Sequence, residues 1–341
     1  MACARKSFGI VVVLAILTVG CGRTRSDGTS AGGKTVIRVE GSDTMVNLAQ
    51  AWAEEYNQLH PDMSIQVSGG GSGVGIASII EGVADVANAS RKMKDKEMAR
   101  AKQNTGKTPV EFVVALDALA VYVHKDNPID TISIKELAEI YGDGGGITKW
   151  SQLNVQNKLC GSDEITRVGR QNNSGTYHYF REAVLGDARD YKLGSIDQSG
   201  SKDVVALISR TPCAIGYSGM GYLSEGVKWL KISKKKGETG VEPGVQAASD
   251  GSYPIARPLQ IYTSGEPTGA IKEYLDWIQS SAGQKIVLEL GYVPLEVAPE
   301  DVAKAANGAA EPATRSDEEP AQEIGEPTPA TPANEKPQEK E

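Results

Sequence analysis

The sequence predicts an α/β fold in two lobes with a mainly parallel sheet, and three observations carry that expectation. Short β-rich runs alternate with helical ones from Val36 to Leu290, the pattern of repeated strand–helix units. Three of the strand-to-helix turns are rich in glycine and hydroxyl side chains. The 341 residues, 40% of them hydrophobic, are enough for two lobes that each bury a core of their own.

Val36–Val39 reads as the first strand. Met45, Leu48, Ala49, Trp52 and Tyr56 then fall at helical spacing, with Ser42 or Asp43 available as N-cap and Pro61 beyond the end. Ile65–Val67 is the second strand, residues 69–73 a glycine loop, and Val74–Ile80 a helix stopped by Gly82. Val83–Ala87 is a short strand running into Asn88-Ala89-Ser90-Arg91, and Phe112–Val123 is a long apolar run that reads as a strand crossing into the second lobe. Ile134–Tyr141 is a helix ended by the glycines at 142 and 144–146. Ile165–Gly169 reopens the pattern as a strand, and Asn172-Asn173-Ser174-Gly175-Thr176 leads into a helix over Tyr177–Leu185. Val204–Ile208 is a further helix, Ala214–Tyr217 and Leu259–Tyr262 are strands, and Ile271–Leu290 is one last long helix. If the two ends of this pattern share a lobe, the chain crosses the middle twice.

The first twenty residues have the form of a secretory signal: Arg5 and Lys6, an apolar run from Phe8 to Val19, then Gly20. That run is too short for an ordinary membrane span. Leu17-Thr18-Val19-Gly20-Cys21 resembles a bacterial lipobox, in which the cysteine is acylated after cleavage; ordinary cleavage nearby is the other reading. Residues 21–35 are mostly small and polar and suit a flexible tether. Cys3 leaves with the signal, so Cys160 and Cys213 remain, either as a disulfide in an oxidising compartment or as two separate thiols.

The formal charge of −8 sits mostly in residues 298–341, which hold four basic and eleven acidic side chains among Pro, Ala and Glu. Such a tail is expected to be disordered. The rest of the chain carries no large basic field, which argues against nucleic acid as a partner. An anionic ligand would therefore have to be held by local groups.

The three turns offer such groups. Gly41-Ser42-Asp43-Thr44, Gly69-Gly70-Gly71-Ser72-Gly73, and Ser174-Gly175-Thr176 preceded by Arg170 can each present free backbone N–H groups, hydroxyls and the positive end of a helix dipole. Any one turn alone reads as a capped helix start. Three of them beyond strand C-termini, together with an arginine, read as an anion site. Enzyme motifs fail by comparison. Residues 69–75 lack the P-loop lysine, and Gly216-Tyr217-Ser218-Gly219-Met220 lacks the last glycine of a nucleophile elbow. His60, His124 and His178 have no zinc-ligand spacing, so neither a metal nor another cofactor is expected.

With these residues in view, the chain resembles the phosphate-binding proteins of ABC importers, the PstS family, over about Val36 to Pro294. The resemblance rests on Gly41-Ser42-Asp43-Thr44, Gly71-Ser72-Gly73, Ala84 to Arg91, Leu116 to Val121, Arg170 with Ser174-Gly175-Thr176, and Ile215 to Ser218. It implies a type II periplasmic-binding-protein fold whose two α/β lobes close on one anion in the cleft between them. Residues 36–117 and 257–295 would form the first lobe and 118–256 the second.

It also implies a site of Ser42, Asp43, Thr44, Ser72, Gly73, Ser90, Arg91, Arg170, Ser174, Gly175 and Thr176, with phosphate as ligand and no catalysis. Arg91 and Asn172 stand where the family often has aspartate, which leaves Asp43 as the acidic side chain in a binding turn, a plain N-cap being its other reading. The partners implied are inorganic phosphate, a membrane permease and, through Cys21, the membrane itself, the protein being a monomer. The alternatives are a receptor for sulfate, molybdate or arsenate, or a phosphohydrolase using the same cradle.

Overall fold

The computed structural model describes residues 33–186 and 188–295. The signal segment, Cys21, most of the tether and the acidic tail lie outside them. In chain order the elements of the first part are β1 (Thr35–Gly41), α1 (Val46–Leu59), β2 (Met63–Gly70), α2 (Ser72–Ile80), β3 (Val86–Ala89), α3 (Asp95–Thr105) and β4 (Val110–His124). The middle contributes β5 (Thr131–Ser133), α4 (Ile134–Tyr141), β6 (Thr166–Arg170), α5 (Gly175–Phe180), β7 (Ile196–Gln198), α6 (Ser201–Ile208), β8 (Ala214–Gly219), β9 (Val227–Trp229), β10 (Lys231–Ser233) and α7 (Val245–Ser249). The chain then returns through β11 (Ala256–Thr263), α8 (Gly269–Gln279) and α9 (Ser281–Glu289).

The main sheet runs β2-β1-β3-β11-β4-β8-β6-β7, with β9 beside β4. It is mixed, not mainly parallel. β1 is parallel to β2 and β3, and β6 to β7 and β8, but β11 is antiparallel to β3 and β4, and β4 to β8 and β9. The reason is the double crossing: one strand leaves the first lobe, another returns, and they insert side by side in opposite directions. β4 is long enough to belong to both lobes, pairing with β11 from Val110 to Ala118 and with β8 from Leu119 to Val123.

Two large apolar cores lie on either side of this crossing. The first gathers Val39, Leu48, Trp52 and Tyr56 with Val114, Ala115, Leu259 and Tyr274, and a smaller cluster under α2 adds Ile76, Ile79 and Tyr262. The second gathers Ala118–Val123 with Ile140, Trp150, Val168, Phe180, Ile208, Tyr217 and Ile255. Val293, which follows α9, packs into the second core, bonding Leu116 through both backbone groups.

Two local expectations fail for physical reasons. The last helix is broken at Ser280, whose backbone is extended (φ −71°, ψ 167°) and whose hydroxyl donates to the Trp277 carbonyl. Gly283 lies so close to the end of α8 that a Cβ there would stand 2.3 Å from the Ile278 carbonyl oxygen. The helix α1 starts at Val46 with no side-chain cap, because Ser42 and Asp43 are used elsewhere. Among the described residues no helix is long and apolar enough to cross a membrane. Cys160 and Cys213 are placed as a bonded pair with Cα atoms 5.2 Å apart, a separation a disulfide spans.

Candidate functional site

β1 and β2 are parallel neighbours, so the turns that follow them open on the same end of the sheet. Gly70 and Gly71 make the second turn possible with φ of 110° and 91°, backbone that a side chain would strain. Gly71 then accepts no bulk either, since a Cβ would lie 2.8 Å from the Asn173 carbonyl oxygen of the opposite lobe. The third turn, after β6, is fixed by Ser174, whose hydroxyl accepts from the N–H groups of Thr176 and Tyr177 as the N-cap of α5.

The structure brings most of the expected residues into one buried cluster. Ser42, Thr44, Ser72, Ser90, Arg170, Ser174 and Thr176 are each no more than 2% exposed. Ser42 Oγ donates to Ser90 Oγ (2.9 Å), Ser72 Oγ lies 3.2 Å from the same atom, and the Ser90 N–H donates to Ser72 Oγ (2.9 Å). Thr44 Oγ1 of the first lobe and Thr176 Oγ1 of the second are 2.7 Å apart. A Cβ on Gly175 would stand 2.3 Å from Ser72 Oγ and 2.5 Å from Ser90 Oγ. The bare backbone of one lobe is thus pressed against the hydroxyls of the other. Gly73 contributes its N–H to the Asn173 carbonyl (2.9 Å), and Asn173 Nδ2 returns a bond to the Gly70 carbonyl (2.8 Å).

Arg170 brings a buried positive charge from the second lobe and reaches the first through Asp43. Its Nη1 donates to Ser201 Oγ (2.9 Å), and its Nη2 donates to the Ser199 carbonyl (2.7 Å) and to Asp43 Oδ2 across the cleft (3.0 Å). Its Nε is buried with no hydrogen-bond partner among the described residues, a donor that an oxyanion could satisfy. Burial pulls the guanidinium pKa below its ordinary value while Asp43 opposes that pull, and an arginine stays charged under such a shift. Asp43 Oδ1 accepts the Gly70 N–H (2.8 Å), so the carboxylate ties two turns to Arg170 and caps no helix.

Arg91 and Asn172 stand outside this cluster. Both terminal nitrogens of Arg91 fork onto Glu97 at 2.9 Å, near the start of α3, and Asn172 is exposed. Arg91 is drawn away because Glu97, beside the N-terminus of α3, is a planar bidentate partner within reach. His178 on α5 has its pKa lowered to about 4, by burial first and then by Arg91 and Lys94, so near pH 7 it is neutral and adds no charge.

Sequence reasoning passed over two residues at the cluster's edge. Asp117 on β4 and Arg257 on β11 are cross-strand partners, 0% and 2% exposed, with Arg257 Nη2 2.9 Å from Asp117 Oδ2. The signal was present: an aspartate inside the apolar run Leu116–Val121 needs a buried cation.

Residues 28–282 match the family model described as PBP superfamily domain. The phosphate-binding protein PstS of Pseudomonas aeruginosa is 36% identical over 265 residues, 75% of this chain and 81% of that protein. The PstS of Bacillus subtilis is 33% identical over 296 residues, 84% of this chain and 92% of its own length. A solved structure of a candidate phosphate ABC transporter substrate-binding protein from Clostridium perfringens, with bound phosphate, is 28% identical and superposes with a TM-score of 0.68, covering 77% of this chain and all of that one. With a family model spanning most of its length and relatives of this identity over three quarters of it, the chain belongs to the PstS family of phosphate-binding proteins, within the PBP superfamily.

Proposed function

We propose that the protein captures inorganic phosphate outside the cytoplasmic membrane and delivers it to the permease of an ABC importer, as a monomer with no covalent chemistry of its own. The observation that carries this reading is the meeting of hydroxyls and bare backbone from both lobes, with Arg170 tied across the cleft to Asp43 and its buried Nε without a partner among the described residues. The site residues are Ser42, Asp43, Thr44, Ser72, Gly73 and Ser90 of the first lobe and Arg170, Ser174, Gly175 and Thr176 of the second. The hydroxyl–hydroxyl bonds among them are the ones phosphate oxygens would replace, since each hydroxyl can turn its proton to an anion. The same ligand is named for the relatives above.

A ligand that binds only the folded state raises the melting temperature. A hundredfold excess over Kd adds about 2.7 kcal/mol, which for a chain of this size is a rise of several degrees. Phosphate is expected to produce that rise, and sulfate and molybdate a smaller one. A phosphomonoester incubated with the protein is expected to release no phosphate. An unchanged melting temperature in phosphate, or steady release from the ester, would contradict the reading.

Selectivity follows from Asp43. Its carboxylate has lone pairs beyond those used by Gly70 and Arg170, and near neutral pH phosphate carries a proton to give it while sulfate carries none. Against sulfate the carboxylate meets only like charge. Asp43→Asn is expected to lower the ratio of phosphate to sulfate affinity by about tenfold or more. An unchanged ratio in competition titrations would move selectivity elsewhere in the cleft.

The lipid anchor rests on Cys21 and its resemblance to a lipobox. Cys21→Ser is expected to move the protein from the membrane fraction to the soluble one with phosphate affinity intact, because stable anchoring takes more than one acyl chain or signal and this substitution removes the acylated residue. Mass spectrometry of the wild-type protein showing no lipid would exclude the anchor.

A further inference from the structure

Resting on the reading of the cleft as a phosphate site, we infer that Arg257, held by Asp117, is a positioning residue that sets the two threonine hydroxyls of opposite lobes as hydrogen-bond donors to the anion. The pair sits on the crossing itself: Asp117 lies on β4 and Arg257 opposite it on β11, between the last residue of the first core on β4, Ala115, and the first of the second, Ala118. From there the guanidinium reaches both lobes. Its Nε and Nη2 donate to Asp117 Oδ2 (3.1 and 2.9 Å), its Nη1 to the Ser90 carbonyl (2.9 Å), and Nη2 also to Thr176 Oγ1 (3.0 Å) and Thr44 Oγ1 (3.3 Å). The Tyr179 ring lies 5.4 Å from its central carbon, and Asp117 Oδ1 accepts the Met220 N–H (3.0 Å).

A guanidinium only donates, and a hydroxyl has one proton and two acceptor lone pairs. With one Nη2 hydrogen on Asp117, the other is shared between Thr176 Oγ1 (3.0 Å) and Thr44 Oγ1 (3.3 Å), so the proton of each threonine is directed away from Arg257, toward a shared point between the lobes. At present one of them serves the 2.7 Å bond between the two hydroxyls. An oxyanion between the lobes, which is acceptor-rich, would take both. Arg257 also neutralises Asp117, a buried carboxylate that would otherwise repel the anion. Because Thr44 belongs to the first lobe and Thr176 to the second, the donors align fully only when the lobes are closed.

A double-mutant cycle tests this on the full chain, with phosphate dissociation constants from calorimetry and folding checked by circular dichroism. Thr44→Val is made in the wild-type background and in Asp117→Asn/Arg257→Gln, which removes both charges together and strands neither. The double substitution is expected to weaken phosphate binding by about tenfold to a hundredfold. Thr44→Val is expected to cost about tenfold in the wild-type background and less than about threefold in the double variant, since its hydroxyl is no longer aligned there. Arg257→Lys repeats the cycle with the charge kept and the fork removed, and covers a failure of the double variant to fold; the same loss of additivity is expected. If phosphate binds the wild-type protein but Thr44→Val costs the same factor in every background, Arg257 is a structural partner of Asp117 only and the inference falls. Absence of phosphate binding by the wild-type protein would overturn the functional reading, and this inference with it.

Discussion

Arg170→Ala is expected to cost about 2–5 kcal/mol of phosphate binding, the range for removing one member of a buried, hydrogen-bonded charge pair. By the relation of about 1.4 kcal/mol to each factor of ten, that is a loss of roughly thirty- to several-thousand-fold. Three features set the size. The guanidinium is 1% exposed, so its bonds are made in a medium far less screening than water. Two of its nitrogens are fixed by Ser201, Ser199 and Asp43, which leaves Nε held in position with no further ordering needed on binding. Its loss also frees the Asp43 carboxylate to repel the anion. Arg170→Lys keeps the charge without the fork and is expected to recover only part of the affinity. A loss below tenfold for the alanine variant, measured by calorimetry, would remove Arg170 from the site.

Gly175→Ala is expected to weaken binding by about a hundredfold or more while leaving the melting temperature of the ligand-free protein nearly unchanged. The new methyl would fall 2.3 Å from Ser72 Oγ and 2.5 Å from Ser90 Oγ, distances no carbon sustains. Neither serine can turn aside freely, since Ser72 Oγ accepts the Ser90 N–H and Ser90 Oγ accepts from Ser42. The strain is relieved by holding the lobes apart, which breaks the Thr44–Thr176 contact and admits water to the cleft. The backbone itself tolerates alanine, as Gly175 is the first residue of α5 and lacks a positive φ. Small-angle scattering in phosphate is therefore expected to show an open particle for the variant and a closed one for the wild type. Wild-type affinity in the variant would mean that the lobes do not meet at Gly175 when phosphate is bound.

The buried cluster proposed as the site was legible in the sequence wherever chemistry and local structure coincide in one short segment. Ser174-Gly175-Thr176 shows its cap, its bare backbone and its hydroxyl within three residues, and residues 41–44 and 71–73 likewise set glycine beside hydroxyls, without a side-chain cap on the helix that follows. Contacts made across the sheet were not legible. Arg257 and Asp117 are 140 positions apart, and only the register of β4 against β11 makes them partners. Arg91 follows Ser90 directly and shares its motif, yet its side chain leaves the site because Glu97 lies within reach six positions on. Asp43 carried two readings, helix cap and ligand-facing acid, and the choice depends on Arg170 from the other lobe. Strand direction was missed although two crossings were implied: the alternation of strand and helix shows each unit, while the antiparallel pairing of β4 and β11 with each other and with their neighbours is a property of the whole sheet.

One phosphate is expected to bind between the lobes in preference to sulfate. Isothermal titration of the wild-type protein with phosphate, repeated in excess sulfate, tests it most directly. One site per chain is expected, with an apparent affinity reduced less than about tenfold by sulfate at a hundredfold excess over phosphate, from the cost of facing an unprotonated anion with a desolvated carboxylate. No heat with phosphate, or binding abolished by sulfate at equal concentration, would contradict it.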